Sequence, residues 1–444
     1  MNDVTWRSSI LGNRWSQLAL GILCMGLVTN LQYGWTLFVR PMHESRNWNE
    51  AGIQVAFTIF VLVETWLIPV EGWLVDRYGP RPVAAAGGLL IALAWSINGL
   101  ATALPTLYLG SAIAGIGAGC VYGTCVGNAL KWFPDRRGFA SGLTASGYGV
   151  GAALTVIPIA KSIDSVGYQL TFIHFGLIIG GAIFVLGCVL RRPPDTLVAR
   201  VAAVRKAHSC RDYTPLEIVR KPVFWSLYLM LTLVCAGGLL ASAQIAPIAR
   251  DFGIAAKPIV FVGSTLSLIT LTMTLDNVVN GLTRPLSGLL SDWIGRENTM
   301  CIVFIGEGVA LGGLVLFGRA PYAFLVFAPM VFLCYAELYA ISSAIAGDIF
   351  GTRNVTANAG MLYTTKGIAA LLVPLGSYMA GRTGSWNIVF LACAAASISM
   401  GIFAKVIYQP MRVRFVASGN SEVNTTHRSN ASEKADPETI QQAV

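Results

Sequence analysis

Stretches of about 20 predominantly apolar residues follow one another along the whole chain, each long enough for a helix to cross a bilayer. Nothing else in the sequence limits the fold so tightly. Six of them are read at residues 15–39, 51–75, 83–103, 107–130, 139–160 and 168–190. Six more are read at 223–248, 259–290, 300–317, 322–346, 355–380 and 387–407. Hydrophobic residues make up 55% of the 444 residues and charged residues only 12%, against about 25% charged in soluble domains. The stretches are too long and too evenly apolar for barrel strands, so an all-α membrane protein is expected. Arg7 and Arg14 precede the first stretch, which reads as a first span because it is too long for a cleaved signal peptide.

The net charge of +9 would suit a nucleic-acid partner, but its distribution points elsewhere. With both termini inside, 22 Lys and Arg residues fall on the inner side and seven on the outer side. That bias sets a cytoplasmic location for both termini in a plasma membrane, with lipid rather than nucleic acid as the surrounding partner. The nine cysteines are scattered without CxxC spacing and read as small apolar fillers. No metal cluster, cofactor motif, HExxH or Gly-x-Ser-x-Gly is present, so neither a cofactor nor an enzyme activity is expected.

A basic, proline-containing stretch at 191–221 divides the chain. The expected layout is an N-terminus at 1–14, a six-helix half at 15–190, a linker at 191–221 and a second half at 222–408. The tail at 409–444 is polar from about Ser418 and is expected to be disordered. The halves resemble each other. Gly72, Leu74, Asp76 and Gly79 recur 216 positions later as Gly288, Leu290, Asp292 and Gly295. Tyr122 falls opposite Tyr339, and Tyr148-Gly149 opposite Lys366-Gly367, at nearly the same offset. A duplicated six-helix unit is the simplest source of such a steady spacing.

Two cations lie inside apolar stretches, Arg284 in the eighth and Lys366 in the eleventh. A charge at mid-membrane costs roughly 2.5–3.5 kcal/mol on insertion scales, so its retention calls for a use. A guanidinium offers a planar fork to a carboxylate, and an ammonium adds a mobile point charge. The plainer alternative is pairing with a buried carboxylate or snorkelling to the surface. Lys366 is too deep for easy snorkelling, whereas Arg284 is nearer the inner end. Asp276, Asn280 and Arg284 share a helix face at four-residue spacing. Asp276 and Arg284 are roughly 12 Å apart along the axis, too far to pair directly. Glu64, Glu71, Glu307 and Glu337 also fall in apolar stretches. Glu64 is the half-repeat partner of Asn280 and a candidate for binding a proton or offsetting one cation; Asp276 is a second candidate.

The run Gly72-x-Leu74-x-Asp76-Arg77-x-Gly79-x-Arg81, with its weaker copy through Gly288, Asp292, Gly295 and Arg296, resembles the signature loop of the major facilitator superfamily. The resemblance implies twelve helices in two pseudosymmetric halves. It also implies Asp and Arg residues that pair across the inner helix ends and part as the halves rock. Further runs narrow it: Leu11-Gly-Asn-Arg-Trp15, Gln32-Tyr33-x-Trp35, Trp132-Phe-Pro-Asp-Arg-Arg-Gly138, Asn280-Gly-x-x-Arg284-Pro285 and Gly347-Asp348 resemble the oxalate–formate exchangers, relatives of the monocarboxylate transporters. In that family an Arg and a Lys at the positions of Arg284 and Lys366 clamp a small carboxylate inside an aromatic cage. The resemblance makes Tyr33, Tyr122, Tyr148, Tyr335 and Tyr339 cage candidates, although Tyr335 stands where a Trp is expected. It implies that Gln32 and Asn280 help to occlude the site. Singly, a tyrosine in a membrane helix is more often packing or interfacial.

The expected activity is therefore exchange of small carboxylates, oxalate for formate foremost, by a monomer. A proton-coupled monocarboxylate symporter using Glu64 or Asp276 is the alternative. A non-transporting anion sensor is a weaker one, since two intact loop motifs favour moving halves.

Overall fold

The computed structural model describes residues 12–194, 211–261, 264–335 and 338–433. Among these, helix dominates. The first span is built from three pieces, Arg14–Val28, Asn30–Tyr33 and Trp35–Arg46. Glu50–Tyr78, Pro80–Leu100 and Leu104–Trp132 follow as the second to fourth spans. Arg137–Val189 holds the fifth and sixth, bent where Gly167 takes φ 83°. The second half opens with Pro222–Asp251 as the seventh span. The eighth is Leu268–Ile294, the ninth Arg296–Phe317, and the tenth Pro321–Tyr335 with Leu338–Phe350. The eleventh is Val355–Tyr363 with Thr365–Thr383, and the twelfth starts as Asn387–Phe403. Nine described segments are long and apolar enough to cross a membrane. The remaining helices, in 137–156, Leu268–Ile294 and 355–383, complete the twelve. Leu100, Leu154, Leu316 and Tyr322 stand exposed, as lipid-facing side chains do.

The duplication is visible in the backbone. Gly79 and Gly295, 216 positions apart, take φ 98° and 93° at the turns into the third and ninth spans. Only glycine enters that region without a Cβ penalty. Gly167 and Gly384, 217 apart, both have positive φ at the ends of the fifth and eleventh spans. The crossings between halves repeat as well. Gly288 lies against the Gly138 carbonyl, and its repeat partner Gly72 lies against Thr356. Gly142 touches the Arg284 carbonyl, and Gly360 touches the Ile68 carbonyl. In these pairs one half's second or eighth span crosses the other half's eleventh or fifth at backbone contact. A Cβ on Gly142 would sit 2.1 Å from the Arg284 oxygen. Gly142→Leu is therefore expected to keep the protein folded but prop this crossing open. Overpacking of this kind costs about 1–3 kcal/mol. Reconstituted transport should fall at least about fivefold on that scale, and unchanged transport would mean the crossing does not need to close.

Three stretches depart from the sequence reading. The eighth span was expected from residue 259, but the helix begins at Leu268. Ahead of it Pro258–Phe261 and Ser264–Ser267 form an antiparallel hairpin with Pro258 opposite Ser267. β-branched Ile259, Val260 and Thr265 suit strands, and the Ser267 hydroxyl accepts from Thr270 N to start the helix. The first and eleventh spans are broken at Thr29 and Thr364. Thr29 Oγ1 donates to the Tyr148 carbonyl at 2.9 Å, and Thr364 Oγ1 bonds the Tyr228 hydroxyl at 2.8 Å. Beyond the twelfth span a π-helical turn at Ala404–Tyr408 leads into helix Gln409–Glu433. Phe415 packs on Tyr213 and Phe350, and Arg412 Nε bridges Glu297 at 2.5 Å, so the start of the tail has a docked face. Residues 434–444 lie outside the described residues.

The end of the linker is docked too. Asp212 Oδ1 accepts from Thr352 N and Arg353 N, between the tenth and eleventh spans. Thr214 and Glu217 form a capping box on the short helix Pro215–Ile218. The Thr214 amide holds the Glu217 carboxyl below the usual carboxylate range.

Candidate functional site

The helices that cross between the halves bring a tyrosine cluster to mid-membrane. Tyr122 on the fourth span meets Tyr148 on the fifth with ring centroids 5.9 Å apart, and Tyr363 on the eleventh at 4.6 Å. Tyr33, on the short turn Asn30–Tyr33, meets Tyr148 edge-on at 6.3 Å. All four rings are held by span elements rather than loops. Tyr122, Tyr148 and Tyr363 are buried, whereas Tyr33 stays 40% exposed. Gln32, its neighbour, is half-buried.

Both cations converge on this cluster. Lys366 Nζ donates to the Tyr363 hydroxyl at 3.2 Å and lies 5.3 Å from that ring's centre. Arg284 is 9% exposed. Its Nε donates to Asn280 Oδ1 at 3.2 Å, and its Nη1 to the Ala145 carbonyl at 3.0 Å. Asn280 thus orients the guanidinium from one turn away. The Tyr122 hydroxyl is within electrostatic reach of both Arg284 and Lys366. Glu64 belongs to the same cluster: it is fully buried and accepts from the Tyr148 hydroxyl at 3.1 Å.

Tyr363 was not singled out from sequence. Its signal was its position three residues before Lys366, one helix turn away. Tyr363→Phe removes the acceptor that steadies Lys366 and keeps the ring. A hydrogen bond to a charged group contributes about 1.5–3 kcal/mol, so anion affinity should weaken roughly 10- to 150-fold with folding intact. Titration calorimetry with oxalate measures this, and unchanged affinity would leave Tyr363 with a packing role only.

Other expected residues are placed elsewhere. The Tyr335 ring lies over Gly238 of the seventh span, where a Cβ would meet it at 2.2 Å. This buried contact packs the tenth span on the seventh. The side chains of Tyr339 and Glu337 lie outside the described residues. Asp276, two turns from Arg284, is buried, and neither carboxyl oxygen has a protein partner among the described residues. Glu71 packs against Gly119 and Cys120 of the fourth span, and Glu307 against Gly237 of the seventh.

Below the cluster, toward the end that bears the two signature loops, the halves are sealed. The space lined by Tyr122, Gly127, Ser343, Thr356 and Tyr363 is only about 10 Å³, no more than one water. Asp76 Oδ2 accepts from Ala357 N at 2.9 Å, reaching from the second span to the first turn of the eleventh. Asp292 does the same in mirror image, accepting from Gly138 N and Phe139 N at the start of the fifth. Each aspartate thereby meets the positive end of a helix in the opposite half. Asp76 also binds Lys131 at 2.6 Å, and Asp292 binds Arg296 at 2.7 Å. The expected Asp–Arg pairing needs correction in the first half. Arg77 lies over the Trp73 and Tyr78 rings, and Arg81 Nε donates to the Leu190 carbonyl. The exposed loop lets these arginines reach aromatic and carbonyl partners, while Lys131 fills the space beside Asp76. Arg137 and Arg296 grip the two oxygens of Asp348 at 2.7 and 2.8 Å, tying the fifth span to the ninth and tenth.

The sequence pattern of the Major Facilitator Superfamily matches residues 18–275 and 242–433. The chain belongs to the major facilitator superfamily. It is a multi-pass membrane transporter, similar to proteins that carry small molecules. It is 34% identical over 403 residues to the oxalate:formate antiporter of Oxalobacter formigenes, covering 89% of this chain and 92% of that one. To monocarboxylate transporter 11 of Mus musculus it is 26% identical, covering 74% and 73%. The E. coli fucose:proton symporter superposes with a TM-score of 0.62 at 13% identity, over 87% of this chain and 97% of that one. The tyrosine cluster lies where the halves meet, with Tyr122 and Tyr148 from the first half and Tyr363 from the second.

Proposed function

We propose that this transporter exchanges small carboxylate anions across the plasma membrane, oxalate for formate foremost, by alternating access. The observation that carries the reading is the convergence of Arg284 and Lys366 on one tyrosine cage at mid-membrane. A planar carboxylate fits the guanidinium fork, and a second carboxylate group or a small neighbour fits beside the ammonium. In a dry chamber the two cations repel each other unless an anion sits between them. The empty carrier therefore resists closing, and the loaded one closes and turns. This couples flux in one direction to flux in the other. The similarity to an oxalate:formate antiporter over most of both chains supports the same substrate class.

In this reading the end bearing the signature loops is cytoplasmic, together with both termini. The structure then corresponds to a carrier closed toward the cytoplasm. The Asp76 and Asp292 crossings hold this state, and binding of an anion shifts the balance with the opposite one. Asp276 favours a second reading, a proton-coupled monocarboxylate carrier, because it is a buried carboxyl without a protein partner on the span of Arg284. A thermal-shift panel on the purified protein tests the substrate class through linkage. Stabilisation by oxalate and formate, but not by amines or sugars, is expected. Stabilisation by lactate or pyruvate alone would favour the second reading.

A further inference from the structure

The charge count of the chamber is incomplete without Glu64. This carboxyl is fully buried on the second span. Its Oε1 accepts from the Tyr148 hydroxyl, and its Oε2 has no partner among the described residues. The eleventh span packs directly along it: Gly367 leaves no space for a side chain beside Thr65 and Trp66, and Gly360 none beside Ile68. This brings Lys366 within electrostatic reach of Glu64. The fourth span closes the other side, with Gly115 against the Glu64 backbone. The titratable groups around Glu64 are therefore Tyr148 on the fifth span, Tyr363 and Lys366 on the eleventh, and Tyr122 on the fourth, with Arg284 across the cage on the eighth. Glu71, two turns along the same span, feels the Glu64 charge and is directed at Gly119; among the described residues no charged group acts on Asp276.

With Arg284 and Lys366 charged, an ionised Glu64 gives the chamber a net charge of one, and a protonated Glu64 gives two. A monoanion neutralises the first state and a dianion the second. Uncompensated charge in a closed, dry chamber is strongly unfavourable, so each anion selects its own protonation state. We infer that Glu64 takes up one proton with a bound dianion and gives it up when a monoanion is bound. In the protonated form its Oε2 side offers the acid proton to the dianion's carboxylate. The proton enters from the water on the side where the dianion binds and leaves with it on the other side. The returning monoanion travels with Glu64 ionised. Each half-cycle then moves one negative charge, and dianion-for-monoanion exchange is electroneutral.

The inference rests on the proposed anion exchange, and one experiment separates the two. Proteoliposomes loaded with formate and a pH-sensitive dye are given external oxalate, a dianion at neutral pH. Potassium and valinomycin set the voltage. The wild type is expected to accumulate oxalate to the same extent with and without an imposed potential of about 100 mV, while the lumen acidifies by one proton per oxalate. One uncompensated charge would instead shift accumulation about 50-fold at that voltage. Glu64→Gln should become voltage-driven by that factor and lose the pH signal. Voltage-driven exchange by the wild type overturns the proton assignment and leaves the exchange reading standing, and this result decides even where Glu64→Gln fails to fold. Absence of any oxalate–formate exchange by the wild type overturns both.

Discussion

Lys366→Ala is expected to abolish carboxylate exchange in a protein that still folds and inserts, and Arg284→Ala to do nearly the same. Each side chain offers charge-assisted hydrogen bonds in a place where water cannot substitute for them. Removing one partner of a desolvated charge pair costs about 2–5 kcal/mol, equivalent to roughly 30- to 5,000-fold in affinity. The two losses should differ in kind. Lys366→Arg keeps a cation beside Tyr363 and should retain partial exchange. Arg284→Lys loses the fork and the anchors on Asn280 and the Ala145 carbonyl, so it should resemble the alanine variant. Folding should survive, because removing a buried cation relieves a burial cost at the moment it removes a ligand. Labelled-oxalate uptake and melting temperature, measured on the same preparations, check both halves of the expectation. Normal uptake by Lys366→Ala would remove the clamp from the mechanism.

Asp348→Asn is expected to open the sealed end. Asp348 holds Arg137 from the fifth span and Arg296 from the ninth, all three side chains being buried. Neutralising it leaves two cations facing each other without their shared counter-ion. Breaking a buried pair in this way costs about 3–5 kcal/mol. Arg296 keeps Asp292, but Arg137 loses its carboxylate. Arg137–Asp348 joins the two halves in this closed arrangement, so the cost is expected to fall on that state and to shift the carrier toward the open one. Spin labels on cysteines at Arg136 and Trp293, both exposed and on opposite halves, should report a longer distance in the variant. An unchanged distance distribution would confine the network to local stability.

Much of the architecture is written in one-dimensional signals. Span number and the half-repeat follow from hydropathy and from spacing, because lipid demands long apolar helices and duplication leaves a constant offset. Local breaks are another matter. The stops at Thr29 and Thr364 depend on partners on other spans, Tyr148 and Tyr228, which no local pattern announces. The hairpin before the eighth span was hidden because Ile259 and Val260 are as apolar as any helix. At the site, Arg284 and Lys366 stood out because a charge in an apolar run is conspicuous. Tyr363 did not, since a tyrosine in a membrane helix is ordinary. The Tyr335 ring packs on Gly238 of the seventh span, a contact between spans that no local pattern announces.

This carrier is expected to turn over with an anion between Arg284 and Lys366 and not without one. Uptake of labelled oxalate into proteoliposomes, with and without formate inside, measures it directly. Rapid uptake that requires internal formate, and its loss in Lys366→Ala, is the predicted result. Equal uptake into formate-free vesicles would contradict the account.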